Sequence, residues 1–247
     1  MNQVLILAGG KGTRMKSKRP KVLNLINKKP MISHILTNIE KAAIKPCVVV
    51  GYKGDEVIKE IGNNYEYIWQ DEQLGTGHAV MCAKKVLQGK DVENILVLPG
   101  DHPLINSDTL KNLIKIHNQE KATVSLSTFR VPYFENKYKC FQHSGRIIRN
   151  EKGEIQKIVE YKDATEEEKN IKEVNVSYYC FKARWLWNNI DKLKNDNNAK
   201  EYYLTDIIKI AFEHKEKIIS VIIKNPTECM GVNTDEELKI AEKYLSD

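Results

Sequence analysis

Val4-Leu5-Ile6-Leu7-Ala8-Gly9-Gly10-Lys11-Gly12-Thr13-Arg14-Met15, residues 4–15, is the stretch on which the reading of this chain turns. Val4 to Leu7 is a short apolar run closed by glycines, which reads as a buried strand emptying into a loop. In that loop, glycines let backbone N–H groups approach a phosphate, while Lys11 and Arg14 supply charge. A tight strand-to-helix turn without a ligand would use the same glycines, so the loop alone leaves both readings open. It is not a Walker loop, because Gly12 is followed by Thr13 and Arg14 and not by Lys and a hydroxyl residue. It is not the dinucleotide fingerprint either, because Met15 stands where the third glycine belongs.

Downstream the strand signal alternates with helical spacing. Ile32, Ile35, Leu36 and Ile39 recur as on a helix face, and Cys47 to Gly51 follows as a second buried strand, which completes a βαβ unit. Val57, Ile58 and Ile61 suit a short helix, Tyr65 to Trp69 a strand, and Ala79, Val80, Ala83 and Val86 a helix. Ile95 to Leu98 is then a strand that ends at Gly100-Asp101, and Leu110, Leu113 and Ile114 predict another helix. Doubly buried strands alternating with helices predict an α/β fold with a doubly wound, mostly parallel sheet that binds ligands beyond the carboxyl ends of its strands. After about residue 122 the texture becomes strand-rich, with Thr123 to Phe129, Gly145 to Arg149, Ile155 to Val159 and Val174 to Phe181, and we expect a β-rich insertion covering the site. Helices at Trp185 to Leu193 and Leu204 to Phe212, a strand at Ile218 to Ile223 and a helix from Thr234 to Leu245 follow. Asn195 to Asn198 is the one segment expected to be loose.

The 247 residues are 41% hydrophobic and 29% charged, which fits one globular domain, residues 1–247. No stretch approaches the roughly 20 apolar residues of a membrane helix, and no basic leader precedes Val4, so a cytoplasmic chain is expected. Five scattered cysteines, an odd count without a C-x-x-C pair, point to reduced thiols. The net charge of +6 is spread over interspersed Lys with no compact basic stripe, which argues against a nucleic-acid partner.

The run G-G-K-G-T-R-M followed by Pro20-Lys21-Val22-Leu23 resembles the signature of the sugar-phosphate nucleotidyltransferases. Gln73-Leu74-Gly75-Thr76-Gly77-His78-Ala79, Gly100-Asp101 with Pro103-Leu104-Ile105, Ile158-Val159-Glu160 with Lys162-Asp163-Ala164, Glu201 to Asp206, and Gly231-Val232-Asn233 extend the match. In this order they resemble the uridyltransferase half of the bifunctional N-acetylglucosamine-1-phosphate uridyltransferase/glucosamine-1-phosphate acetyltransferases. The resemblance implies a Rossmann-like fold of the nucleotide-diphospho-sugar transferase type. In it, residues 1–121 mainly bind nucleotide, and residues 122–247 supply the sugar side and closing helices. It also implies transfer of UMP from UTP to N-acetylglucosamine 1-phosphate, with Mg²⁺ as cofactor.

Residue by residue, the resemblance places Arg14, Lys21 and Asp101 in catalysis. It places Leu7, Ala8, Gly9, Gly10, Lys11, Gly12, Gln70, Gly75 and Thr76 on the nucleotide, and Gly145, Glu160 and Asn175 on the sugar. Asp101 and Asn233 become the protein ligands of the metal, a role that suits hard oxygen donors. Spacing alone leaves Asp101 free to cap a helix or close a turn, and Asn233 free to cap the final helix. Two places depart from the family pattern: Ser144 stands where Tyr is usual, and Val176-Ser177 replaces Thr-Gly after Asn175. The family's hexapeptide-repeat β-helix has no counterpart before Asp247, so neither an acetyltransferase domain nor acetyl-CoA chemistry is expected. Three alternatives are open: the same fold with another NTP or another sugar 1-phosphate, a UDP-sugar sensor without turnover, and, on net charge alone, a nucleic-acid binder.

Overall fold

Val4, Leu5 and Ile6 are completely buried, and since successive strand residues point to opposite faces, they fill both sides of one sheet. The structure, a computed structural model, describes every residue except Thr13, Lys16, Lys18, Ser246 and Asp247, so Thr13 of the glycine loop lies outside the described residues. Along the chain come β1 (Asn2–Leu7), β2 (Leu25–Ile26), β3 (Lys29–Pro30), α1 (Met31–Lys41), β4 (Lys45–Val50), α2 (Gly54–Ile61), β5 (Glu66–Trp69), α3 (Thr76–Leu87), β6 (Asn94–Pro99) and α4 (Ser107–Gln119). The second half contributes β7 (Val124–Arg130), β8 (Arg146–Arg149), β9 (Ile155–Val159), α5 (Glu166–Lys169), β10 (Glu173–Lys182), α6 (Ala183–Asn189), α7 (Ile207–Glu213), β11 (Ile218–Ile222) and α8 (Asp235–Tyr244).

The main sheet runs β11-β7-β10-β6-β1-β4-β5. β1 is parallel to β4 and β6, β4 to β5 and β7 to β11, while β10 is antiparallel to both β6 and β7. The result is the expected mixed α/β architecture with a mainly parallel central sheet. On one face Val4, Ile6, Val48, Val50, Leu96 and Leu98 meet Ile32, Ile35, Leu110 and Leu113 of α1 and α4. On the other, Leu5, Val49, Ile95 and Val97 meet Val80, Ala83, Leu186 and Ile208 of α3, α6 and α7. At roughly 1.5–3 kcal/mol per fully buried aliphatic side chain, these two layers hold the sheet together.

Three sequence expectations need correction. Of the strands after residue 122, β7, β10 and β11 extend the central sheet itself, so the part that stands off it is smaller than expected. Only the β8–β9 hairpin leaves it, joined to β10 at Arg146 opposite Val174. Val86 is 39% exposed and Leu87 takes the inward place on α3, one turn after Ala83. Finally, the Asn195 to Asn198 loop is tied down: Asn198 donates its N–H to Asp163 Oδ1 at 2.9 Å and its amide to the Lys162 carbonyl at 3.0 Å. Among the described residues no helix is long and apolar enough to cross a membrane.

Arg146 fixes the base of the hairpin. Its fully buried guanidinium donates to the carbonyls of Gln142 at 2.9 Å, Lys169 at 3.2 Å and Ser144, and lies 4.4 Å from the Phe134 ring centre. Truncation strands three part-buried carbonyls, removes a cation–π contact and leaves a void at a fully buried position, so Arg146→Ala should cost roughly 3 kcal/mol of stability. Urea unfolding measures this, and a loss below about 1 kcal/mol would mean that the hairpin base holds without it.

Candidate active site

The carboxyl ends of the parallel strands open onto a cleft of about 430 Å³. Backbone bonds from Ala8 N to Val49 O, 2.8 Å, and from Gly100 N to Leu7 O, 2.9 Å, carry the sheet's order into the loops that frame it. Leu7, Ala8, Gly9, Gly10, Lys11 and Gly12 line the cleft from the glycine loop, Gln70, Gly75 and Thr76 from the region between β5 and α3, and Lys21 and Asp101 complete it. Gly12 has a φ of +63°, and a Cβ there would stand 2.5 Å from Lys21 Cβ, so the missing side chain is what lets Lys21 pass into the cleft. Gly75 has a φ of +106°, and its Cβ would stand 2.6 Å from the Tyr202 carbonyl oxygen. Tyr202 therefore serves through its backbone, accepting from Gly77 N at 2.7 Å and donating to Leu74 O at 2.8 Å. Gln70 is buried, and its Nε2 donates to the Gly75 carbonyl at 3.0 Å, which leaves its Oε1 as an acceptor. Thr76 Oγ1 accepts from Leu204 N at 3.1 Å.

Asp101, Lys21, Asn233 and Arg14 meet where this cleft adjoins a second cavity. The Lys21 ammonium binds Asp101 Oδ2 and also donates to Asn233 Oδ1 at 2.7 Å, while Arg14 donates to the same Asn233 oxygen at 2.5 Å. Burial works to raise the Asp101 carboxyl, but the Lys21 charge and hydrogen bond outweigh it and hold the acid below its ordinary value. Asn106 caps α4, so Asp101 is not a capping residue. Asn233 does not cap α8 either: Thr234 does, in a capping box with Glu237, and the Asn233 side chain is left to the site. A bond from Val232 N to the Asp101 carbonyl, 2.8 Å, joins the two loops. Two hard oxygens, one anionic and one amide, converge on a single cationic nitrogen, and this donor set fits a divalent ion of the oxygen-seeking kind.

The second cavity, of about 180 Å³, takes in Arg14, Gly145, Glu160, Asn175 and Asn233. Arg14 thus faces this side and not the cleft of the glycine loop. Glu160 accepts from Thr205 Oγ1 at 3.0 Å; burial, joined by the charges of Asp206 and Asp163, pushes its carboxyl up. Asn175 sits at a bulge in β10 and binds within its own strand, donating Nδ2 to Tyr179 Oη at 2.7 Å and accepting from Ser177 N at 3.0 Å. Ser177 adopts a φ of +66°, at the position where the resemblance leads one to expect glycine, and its Oγ accepts from Asn175 Nδ2 at 3.1 Å. Every site residue proposed from sequence therefore lines one of the two cavities. Sequence reasoning missed Gln73 and Glu201 in the first, and His102, Ser177 and Glu237 in the second. His102 carried no signal beyond its place beside Asp101. It is half-buried, and loss of solvent pushes its imidazole down to about 4.

A family model described as nucleotidyl transferase matches residues 3–226. The bifunctional protein GlmU of Clostridium novyi is 44% identical over 245 residues, 98% of this chain and 51% of that protein. Its namesake in Limosilactobacillus reuteri is 41% identical over 242 residues, with the same coverage of 98% and 51%. The chain thus spans about half the length of the curated relatives it matches. Among solved structures, a Bacillus anthracis protein described as a glucose-1-phosphate thymidylyltransferase, in complex with a sucrose, superposes with a TM-score of 0.75 at 19% identity, covering 100% of this chain and 96% of that one. At that identity the likeness speaks to the fold.

The acidic groups around Glu160 make stability depend on pH. Burial, with repulsion from Asp196 and Asp163, pushes Asp206 up to about 6. The folded chain then holds a proton that the unfolded chain releases near pH 4, so stability falls as pH rises between about 4 and 6. Asp206→Asn should melt at a higher temperature than the parent at pH 8, with the difference vanishing near pH 4 when thermal unfolding is followed at both values. An unchanged melting temperature at pH 8 would contradict the assignment.

Proposed function

The chain belongs to the nucleotidyl transferase family, and from that premise we propose that it transfers UMP from UTP to N-acetylglucosamine 1-phosphate, releasing pyrophosphate and forming UDP-N-acetylglucosamine. The observation that carries this reading is the junction of Lys21, Asp101, Asn233 and Arg14 between two cavities, one bordered by the glycine loop and the other by Glu160 and Asn175. A phosphate oxygen of the sugar attacks the α-phosphorus of UTP in line. A new P–O bond forms as the bond to the β-phosphate bridge breaks, and pyrophosphate carries away the charge. The protein has little covalent work to do, and alignment and charge neutralisation supply the rate.

Backbone N–H groups of residues 9–12 and the Lys11 ammonium would cradle the triphosphate, and Lys21 and Arg14 would offset charge as the leaving group departs. Magnesium, held by Asp101 and Asn233, would screen the two polyanions from each other. Gln70 suits the base reader because its free Oε1 is an acceptor that matches the imide N–H of uracil, whereas cytosine offers no donor at that ring position. Glu160, half-buried, and Asn175, buried, are the polar groups of the second cavity and suit hydroxyl and acetamido recognition, since polar contacts discriminate between sugars. We also place the chain in the cytoplasm.

Two measurements test the proposal. Pyrophosphate release from each NTP with a panel of sugar 1-phosphates should be fastest with UTP and N-acetylglucosamine 1-phosphate, and a preference for CTP, GTP or dTTP would end the uridyl assignment. Asp101→Asn should slow turnover at least about 100-fold, and retained activity would mean that the metal is held elsewhere.

A further inference from the structure

His102 is not among the residues that the resemblance brings to the site, yet the fold turns it onto the junction. Its Nδ1 lies 3.0 Å from Tyr178 Oη, and the two rings pack edge to face with centroids 5.3 Å apart. The Tyr178 hydroxyl has one proton and gives it to the Glu228 carbonyl. Tyr178 Oη must therefore accept from His102, which puts the ring proton of the neutral imidazole on Nδ1 and leaves Nε2 bare. Nε2 faces Asp101 Oδ1 at 3.8 Å, and a Cβ built on Gly231 would stand only 2.7 Å from it. Asp101 Oδ2, on the other side of the same carboxylate, is taken by Lys21.

Two lone-pair acceptors thus confront each other in a part-buried place, too far apart for a hydrogen bond. The gap falls between the roughly 3.0 Å separating adjacent ligands and the roughly 4.2 Å separating opposite ligands of one ion bound at about 2.1 Å. Asp101 lines the nucleotide cleft, whereas His102 and Asn233 line the neighbouring cavity, so an ion here would bridge the two. We propose that His102 Nε2 is a third, nitrogen ligand of the divalent-cation site, oriented by Tyr178, and that it tilts the site from magnesium towards ions that accept imidazole, such as cobalt(II) and manganese(II). The inference rests on the reading of Asp101 and Asn233 as metal ligands. An imidazole ligand held by a second hydrogen bond is the usual way a protein fixes such a nitrogen, and it favours transition ions over magnesium.

The test reads the metal and not turnover. Manganese(II) is added to the intact chain, alone and again with UTP, and its electron spin-echo modulation is recorded with natural-abundance and ¹⁵N-histidine protein. A coordinated-nitrogen modulation that changes with the label and disappears in His102→Gln is expected, the other five histidines remaining in place. Calorimetric titration should show His102→Gln losing about tenfold in cobalt(II) affinity while magnesium affinity stays within about twofold. Manganese spectra insensitive to the label under both conditions, whether the ion is bound through oxygen alone or not bound, would overturn the inference. A label-sensitive modulation that persists in His102→Gln would also overturn it, and if that variant does not fold His102→Asn takes its place. Uridylyl transfer with an oxygen-only spectrum would sink this inference alone, and a nitrogen-ligated ion without transfer would sink only the proposed reaction.

Discussion

The site is built on the attraction between one ammonium and two oxygens that belong to distant parts of the chain. Lys21 reaches Asp101, 80 residues away, and Asn233, 212 residues away, and the three meet only because β1, β6 and the loop before α8 end at the same edge of the sheet. Taking one partner away leaves the others charged or polar in a half-buried place, and breaking a buried ion pair in this way is destabilising by roughly 3–5 kcal/mol. The same arrangement makes the local field steep. A cation already resides between the two cavities, and on the proposed reading an incoming ion and its phosphates would meet ligands already gathered to receive positive charge.

Around this junction the sheet divides labour by position. The glycine loop and the region between β5 and α3 shape the larger cleft through backbone, with Gly12 and Gly75 present because a side chain would collide with Lys21 or with Tyr202. The smaller cavity is shaped by side chains that first satisfy one another, Glu160 with Thr205, and Asn175 with Ser177 and Tyr179. A strained serine at position 177, braced by Asn175 on both its N–H and its hydroxyl, sets the bend in β10 from which that cavity is formed.

Much of this was legible in the amino-acid order. β1, β4, β6 and the helices between them were readable because apolar runs and helical spacing are local properties of the chain. The glycine loop could be placed because motifs at strand ends report where a doubly wound sheet binds ligands, and Gln70 and Asp101 because the family resemblance names them. What could not be read were partnerships. β7 and β10 are buried on both faces whether they extend the central sheet or form a separate lobe, so pattern alone does not assign them, and the antiparallel β10 reads by sequence as part of an insertion. Arg14 belongs by sequence to the glycine loop, and that its side chain turns to Asn233 is not a local property of the chain. His102 escaped notice because a lone histidine acquires meaning only from what its ring nitrogens face.

The capping of α8 has a further consequence. Thr234 and Glu237 satisfy the helix start, and the residue just before them is therefore free to enter the site. That helix is pinned by a small apolar group, Met15, Ile26, Met31, Met230, Val232 and Ala241, set apart from the two large layers that secure the sheet. Loosening of that small group would withdraw Asn233 while the strands stayed paired, so the donor set of the site depends on packing that the two sheet layers do not supply.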